Sequence, residues 1–230
     1  MEKNKKMNAI KAIKKSGKKC ILFFAVIQII AMSVYADGVQ LNDAQKQDLY
    51  NLKIMVGDEN GDLRLNDNIT RAEAAKMICT AGNITLAQNA DIPPFKDVTY
   101  DHWAYKYIYA LKTDNITNGD ESENFNPESN ITNEEIVKMI VCLLGYTPIA
   151  EARGGYPAGY TAVASQIGIT NGLNLKTNTP ATRNDVAVMI SNALDTPIMA
   201  QDDENSGENA VYIIFDGKNG VELKTIRGTR

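Results

Sequence analysis

One helix start is written three times in this 230-residue chain. Ile69-Thr-Arg-Ala-Glu73, Ile131-Thr-Asn-Glu-Glu135 and Ala181-Thr-Arg-Asn-Asp185 each set a Thr three residues before an acid. In that spacing the hydroxyl accepts from the acid's backbone N–H and the carboxylate accepts from the Thr N–H, which fixes where a helix begins. Seven residues beyond each Thr the chain reads Met-Ile: Met77-Ile78, Met139-Ile140 and Met189-Ile190. Upstream, Ile54–Gly57, Ile116–Gly119 and Ile169–Gly172 fall into the same register. A unit repeated in this way cannot bury its apolar stripe alone, so three units must pool a core.

The middle copy is the fullest. Trp103, Tyr107, Ile108 and Leu111 fall at helical spacing, and Ile136, Val137, Met139, Ile140, Leu143 and Leu144 form a wider stripe on a second helix. Gly119 and Pro127 make the stretch between them a loop. The reading is a mainly α fold, with three helical-hairpin repeats in a pseudo-threefold bundle and a short β-hairpin-like C-terminal segment. Residues 37–89 form a partial first repeat, 90–147 a complete second and 148–199 a divergent third. Residues 200–230 read as a linker followed either by the start of a further domain, which the sequence favours, or by a segment packed on the repeats. Within them, 211–215 and 221–226 read as two strands around Asp216-Gly-Lys-Asn-Gly220.

Phe95-Lys-Asp-Val98, His102-Trp-Ala104, Phe125-Asn-Pro127 and Ile69-Thr-Arg-Ala-Glu73 resemble the signature of the S-layer homology domain. The resemblance covers residues 41–197 and is weakest in the third repeat. It implies three tandem repeats at one end of an exported bacterial protein. It also implies non-covalent anchoring to an anionic, often pyruvylated, secondary cell-wall polysaccharide.

Residues 1–36 read as a secretory signal peptide. Eight Lys precede an apolar run, Ile21–Val34, that is shorter than the about 20 residues a spanning helix needs. Val34-Tyr-Ala36 supplies a cleavage signal before Asp37. Removing eight Lys and one Glu from 24 basic and 28 acidic residues leaves 16 and 27, a net charge of −11. Such a chain is a poor partner for nucleic acid, whose binding depends on neutralising phosphates. It keeps no membrane segment after cleavage, and it can hold an anionic polymer only where cations gather locally.

Arg71 and Arg183 directly follow their caps, on a helix turn whose N–H groups favour an anion. Trp103 offers a flat face to a sugar ring, and Tyr156 takes its place in the third repeat. The sequence suggests a groove between the first two repeats lined by Arg71 and Trp103. Asn133 replaces the Arg in the middle repeat, and Leu41 falls where a first-repeat Trp would stand. Two readings stay open for Arg71, a ligand-facing guanidinium or a helix-start residue paired with an acid. Two also stay open for Trp103, a binding face or core.

No residues suggest catalysis, a cofactor or a metal. One His and scattered Cys make no ligand cluster. Asp58, Asn60 and Asp62 begin like a calcium loop, but Gly61 is misplaced and no Glu closes it, so a solvated turn is expected. Cys79 and Cys142 lie in apolar stripes and read as small buried hydrophobes. The functional reading is a non-catalytic anchor. The alternatives are a self-associating subunit of a surface layer and a tether for an enzyme domain outside the chain.

Overall fold

The computed structural model describes residues 39–87, 92–201, 212–214 and 224–229. The signal-peptide reading lies outside them, as does the first half of the second expected tail strand. Seven helices are described: α1 (Asp43–Asn51), α2 (Arg71–Ala81), α3 (Tyr105–Thr113), α4 (Asn133–Leu143), α5 (Thr147–Ala152), α6 (Ala158–Gln166) and α7 (Arg183–Leu194). Among the described residues, no helix is long and apolar enough to cross a membrane.

The three repeated caps form as their spacing requires. Thr70, Thr132 and Thr182 each make both hydrogen bonds of a capping box, with Glu73, Glu135 and Asp185. The residue before each cap is fully buried, and these three backbones bond in a closed ring. Ile69 N–H donates to Ala181 O at 3.2 Å, Ala181 N–H to Ile131 O at 2.8 Å, and Ile131 N–H to Ile69 O at 3.0 Å. The helices that follow the caps, α2, α4 and α7, all touch one another.

The outer helices pack across repeat boundaries. α3 lies on α2, α6 on α4 and α1 on α7, so each first helix covers the second helix of the preceding repeat. The chain leaves each first helix at a left-handed residue, Lys53 (φ 59°), Asn115 (φ 56°) or Gly168 (φ 85°). This ends α1 at Asn51.

One local expectation needs correction. Trp103 precedes α3 and is 53% exposed, so it belongs to no core stripe. The third repeat opens with a short helix, α5, where the middle repeat has Phe95-Lys-Asp-Val98.

The tail also differs from a lone hairpin. β2 (Tyr212–Ile214) pairs antiparallel with β1 (Met199–Gln201), which directly follows the third repeat. Met199 N–H donates to Leu144 O at 2.9 Å, and Thr225 bridges to Pro197. Ile226 is buried in the shared core. A lone hairpin is marginal in water, and this pair gains its stability from the repeats it lies on.

Candidate functional site

The helix starts carry their cations differently from the sequence expectation. The first-turn N–H groups are already occupied. Arg71 N–H donates to Ser129 O and Ala72 N–H to Pro127 O, while Arg183 N–H donates to Asp67 O and Asn184 N–H to Leu65 O, all at 2.9 Å. Each cap is thus satisfied by the loop of the following repeat in the ring. The first-turn amides at Arg71 and Arg183 are therefore not free for an anion, and an anion beside these two residues must be held by side chains.

The side chains continue the same cyclic plan. Arg71 Nε donates to Phe125 O at 2.7 Å, and its terminal nitrogen pairs with Glu135 at 2.8 Å. Its guanidinium lies 4.8 Å from the centre of the Phe125 ring. Arg183 Nε donates to Leu63 O at 2.9 Å, and its ion pair with Glu73 is longer, 3.4 Å. Each capping-box Glu therefore holds its own Thr N–H with one oxygen and the Arg of the preceding repeat with the other. Asn133 makes the related contact with amide chemistry, donating to Lys176 O and Thr179 Oγ1.

Two equivalent grooves result, and each draws on all three repeats. One, of about 230 Å³, is lined by Arg71, Glu135, Lys138, Met139, Ile116–Gly119 and Tyr156. The other, of about 240 Å³, is lined by Arg183, Glu73, Lys76, Met77, Lys53–Val56 and Trp103. The sequence pairing of Arg71 with Trp103 is therefore wrong. Arg71 faces Tyr156, and Trp103 faces Arg183. Two adjacent repeats do not form the walls alone; the aromatic arrives from the repeat beyond the acid.

The grooves differ in what they leave available. Trp103 is 53% exposed and stacks on His102 with ring centres 5.9 Å apart. His102 is held in turn by Glu128 at 3.0 Å and accepts the Ala104 N–H. Tyr156 is 49% exposed, with the Lys138 ammonium 5.5 Å from its ring centre. Partial burial, with Glu135 and Glu134 nearby, holds the Tyr156 hydroxyl above its ordinary pKa. Lys76 and Lys138 occupy the same repeat position, which sequence reading passed over although both stand six residues after a cap Thr. Lys53 adds a further cation to the Trp103 groove. At the third position Asn133, Val188 and a buried Leu41 replace the Arg, the Lys and the aromatic.

Asp58 takes backbone N–H groups from Asn60 and Asp62, and Asp120 does the same with Ser122 and Asn124. These carboxylates close turns. Among the described residues, no group of three or more His, Cys, Asp or Glu could hold a metal ion.

The fold and its grooves define a class, a ring of three capped helical repeats with cationic clefts between them. The chain matches the family model of the S-layer homology domain over residues 47–75 and 94–136. It is similar to the middle cell wall protein of Brevibacillus brevis, 31% identical over 154 residues, covering 65% of this chain and 14% of that protein. A surface layer protein of Brevibacillus choshinensis is also 31% identical over 154 residues, 65% of this chain and 13% of the relative. The surface-layer 125 kDa protein of Lysinibacillus sphaericus is 29% identical over 204 residues, 78% of this chain and 17% of the relative. The chain thus spans less than a fifth of the length of these relatives. The family match and the relatives support a location at the cell wall or cell surface and an anchoring or surface-layer role. One weaker match, over 39% of the chain, is to an uncharacterized cell wall amidase of Bacillus anthracis.

Proposed function

We propose that the chain is a cell-wall anchor that binds an anionic, pyruvylated secondary wall polysaccharide non-covalently in its inter-repeat grooves. The observation that carries this reading is the groove of Arg183, Lys76, Lys53 and the exposed Trp103. It gathers three cations against one acid, Glu73, in a chain whose residues 37–230 are net acidic. A ketal carboxylate suits the guanidinium and the two ammonium groups, since charge-assisted bonds to carboxylates are the strong ones. The indole face suits the apolar side of a sugar ring. The Arg71–Tyr156 groove is the secondary site, because its guanidinium is held more tightly by Glu135 and Phe125 O.

The test is co-sedimentation of the purified chain with cell walls before and after removal of their secondary polymer. Binding is expected to need the polymer. It should weaken at least tenfold, about 1.4 kcal/mol, in Arg183→Ala and in Trp103→Ala. Full binding to stripped walls overturns the polysaccharide as ligand. Sedimentation of the chain without walls, growing with its concentration, supports the surface-layer subunit instead.

A further inference from the structure

The middle and third repeats differ in one place where the difference leaves a site. In the middle repeat, Phe95-Lys-Asp-Val98 lies across the outer helix and the loop before the next cap. The Phe95 ring packs 5.5 Å from Phe125, under the Lys112 ammonium at 4.4 Å, and is 3% exposed. Asp97 accepts the N–H groups of Phe125 at 2.8 Å and Asn126 at 2.6 Å. Counting back from the caps puts Leu175 and Lys176 where Phe125 and Asn126 stand. Counting on from the aromatics puts Ser165 where Lys112 stands.

The third repeat has no such segment, because α5 takes its place in the chain. What remains is a largely apolar slot of about 530 Å³ between α4, α6 and the loop, lined in part by Val137, Ala158, Ala162, Ser165 and Leu175. The face of α6 under it is uncovered. Ala158 and Thr161 are exposed, whereas Tyr105 and Ile108, which match them in the middle repeat, are buried. Polar groups around the slot are also unspent. Asn133 is 5% exposed and lines the slot, yet its Oδ1 has no hydrogen-bond partner, and neither has the buried Glu134 Oε2. The N–H groups of Leu175 and Lys176, which match the two that Asp97 occupies, donate to nothing among the described residues. A buried acceptor without a partner is costly, so its retention asks for an explanation.

We propose that this slot receives an extended peptide segment of Phe-x-Asp type from a partner chain. The Phe ring would fill the apolar slot and the Asp carboxylate would take the Leu175 and Lys176 N–H groups. A backbone N–H of the segment would satisfy Asn133 Oδ1. The occupant's chemistry is read from the middle repeat, where the same sequence fills the same place in cis. The side chain of Lys176, beside those N–H groups, adds charge complementarity to the Asp.

The test is an NMR titration of the purified chain with a hexapeptide of the sequence Pro-Phe-Lys-Asp-Val-Thr. Saturable shifts are expected at Val137, Ala158, Ala162 and Leu175. Replacing the peptide's Phe or its Asp with Ala should weaken binding at least tenfold. In the protein, Leu175→Phe and Ala162→Leu fill the slot and should each weaken binding at least tenfold, without lowering the melting temperature. Wall binding through the Arg183 groove should be unchanged in both, which separates this proposal from the anchor reading. Absence of saturable shifts at millimolar peptide overturns the proposal, as does binding that survives in both filled variants. Shifts at the same residues that depend on protein concentration alone would give the slot to a second folded copy and also overturn it.

Discussion

At the scale of single residues, the two arginines share a sequence position and divide the work. Arg71 joins a backbone carbonyl, a carboxylate and a ring face, and its side chain is only 12% exposed. Its truncation strands Phe125 O and one oxygen of Glu135, so Arg71→Ala should cost about 2–3 kcal/mol of stability. The loss should show as a lower urea midpoint with unchanged slope. Arg183, with its looser ion pair, should cost less when truncated, and its removal should appear chiefly in wall binding. A larger stability loss in Arg183→Ala than in Arg71→Ala would contradict this division. The two described cysteines, Cys79 and Cys142, follow the burial argument. Both are free thiols, and desolvation pushes Cys79 up to about 12 and Cys142 above its ordinary range. The thiolate is the reactive form. Neither should therefore be labelled readily by a thiol reagent in the native protein at pH 8, and both should be labelled in denaturant.

At the scale of elements, the capping boxes couple the repeats, since Glu135 serves both Thr132 and Arg71. Glu135→Gln keeps an acceptor for the cap but gives up the charge that faces Arg71. It should destabilise by about 1 kcal/mol, and adding Arg71→Ala should cost less than the sum of the two changes. A double-mutant cycle measures this, and full additivity would show that the two groups are uncoupled. The Asp120 turn carries a pH signature. Hydrogen bonds from Asn124, Asn126 and Ser122 hold its carboxyl below the ordinary value. Its contribution is in force above the unfolded pKa, about 3.9, and is lost as pH falls through the lower folded value. The Ser122 and Asn124 amide resonances should shift together in that window.

These elements were legible to different depths. The caps, the Met-Ile pairs and the loop glycines gave the three inner helices, because local spacing dictates them. The aromatic partners of Arg71 and Arg183 were not legible. Ring closure brings residues from three repeats to one groove, and spacing along the chain carries no signal of it. Trp103 was misplaced onto α3 because its apolar spacing continues past the true helix start. The occupied amides at the helix starts were hidden for a related reason, since their acceptors lie in loops more than 50 residues away.

At the scale of the whole molecule, the ring has a seam where the first and third repeats meet, and the tail crosses it. Arg227 pairs with Asp48 on α1 at 2.8 Å and with Asp195 at the end of α7 at 2.6 Å. The two carboxylates hold its guanidinium pKa above the ordinary value. Ile226, beside it, is buried in the core, and Ile198 N–H donates to Lys224 O. The polar linker and β pattern, unlike the repeats, favour a further domain over packing on the repeats when the sequence is read alone. The contacts make its last described turn a clip on them. The apolar part should dominate, since the Arg227 ion pairs are partly solvated and worth little each. Ile226→Ala should cost about 2–4 kcal/mol and lower the midpoint of one cooperative transition. Arg227→Ala should cost less than about 1 kcal/mol, and that loss should shrink further in high salt. Urea denaturation followed by circular dichroism distinguishes the cases. If Ile226→Ala leaves the repeats' midpoint unchanged, the tail is an appendage. If it lowers that midpoint, the third repeat is held to the first by the chain that follows it.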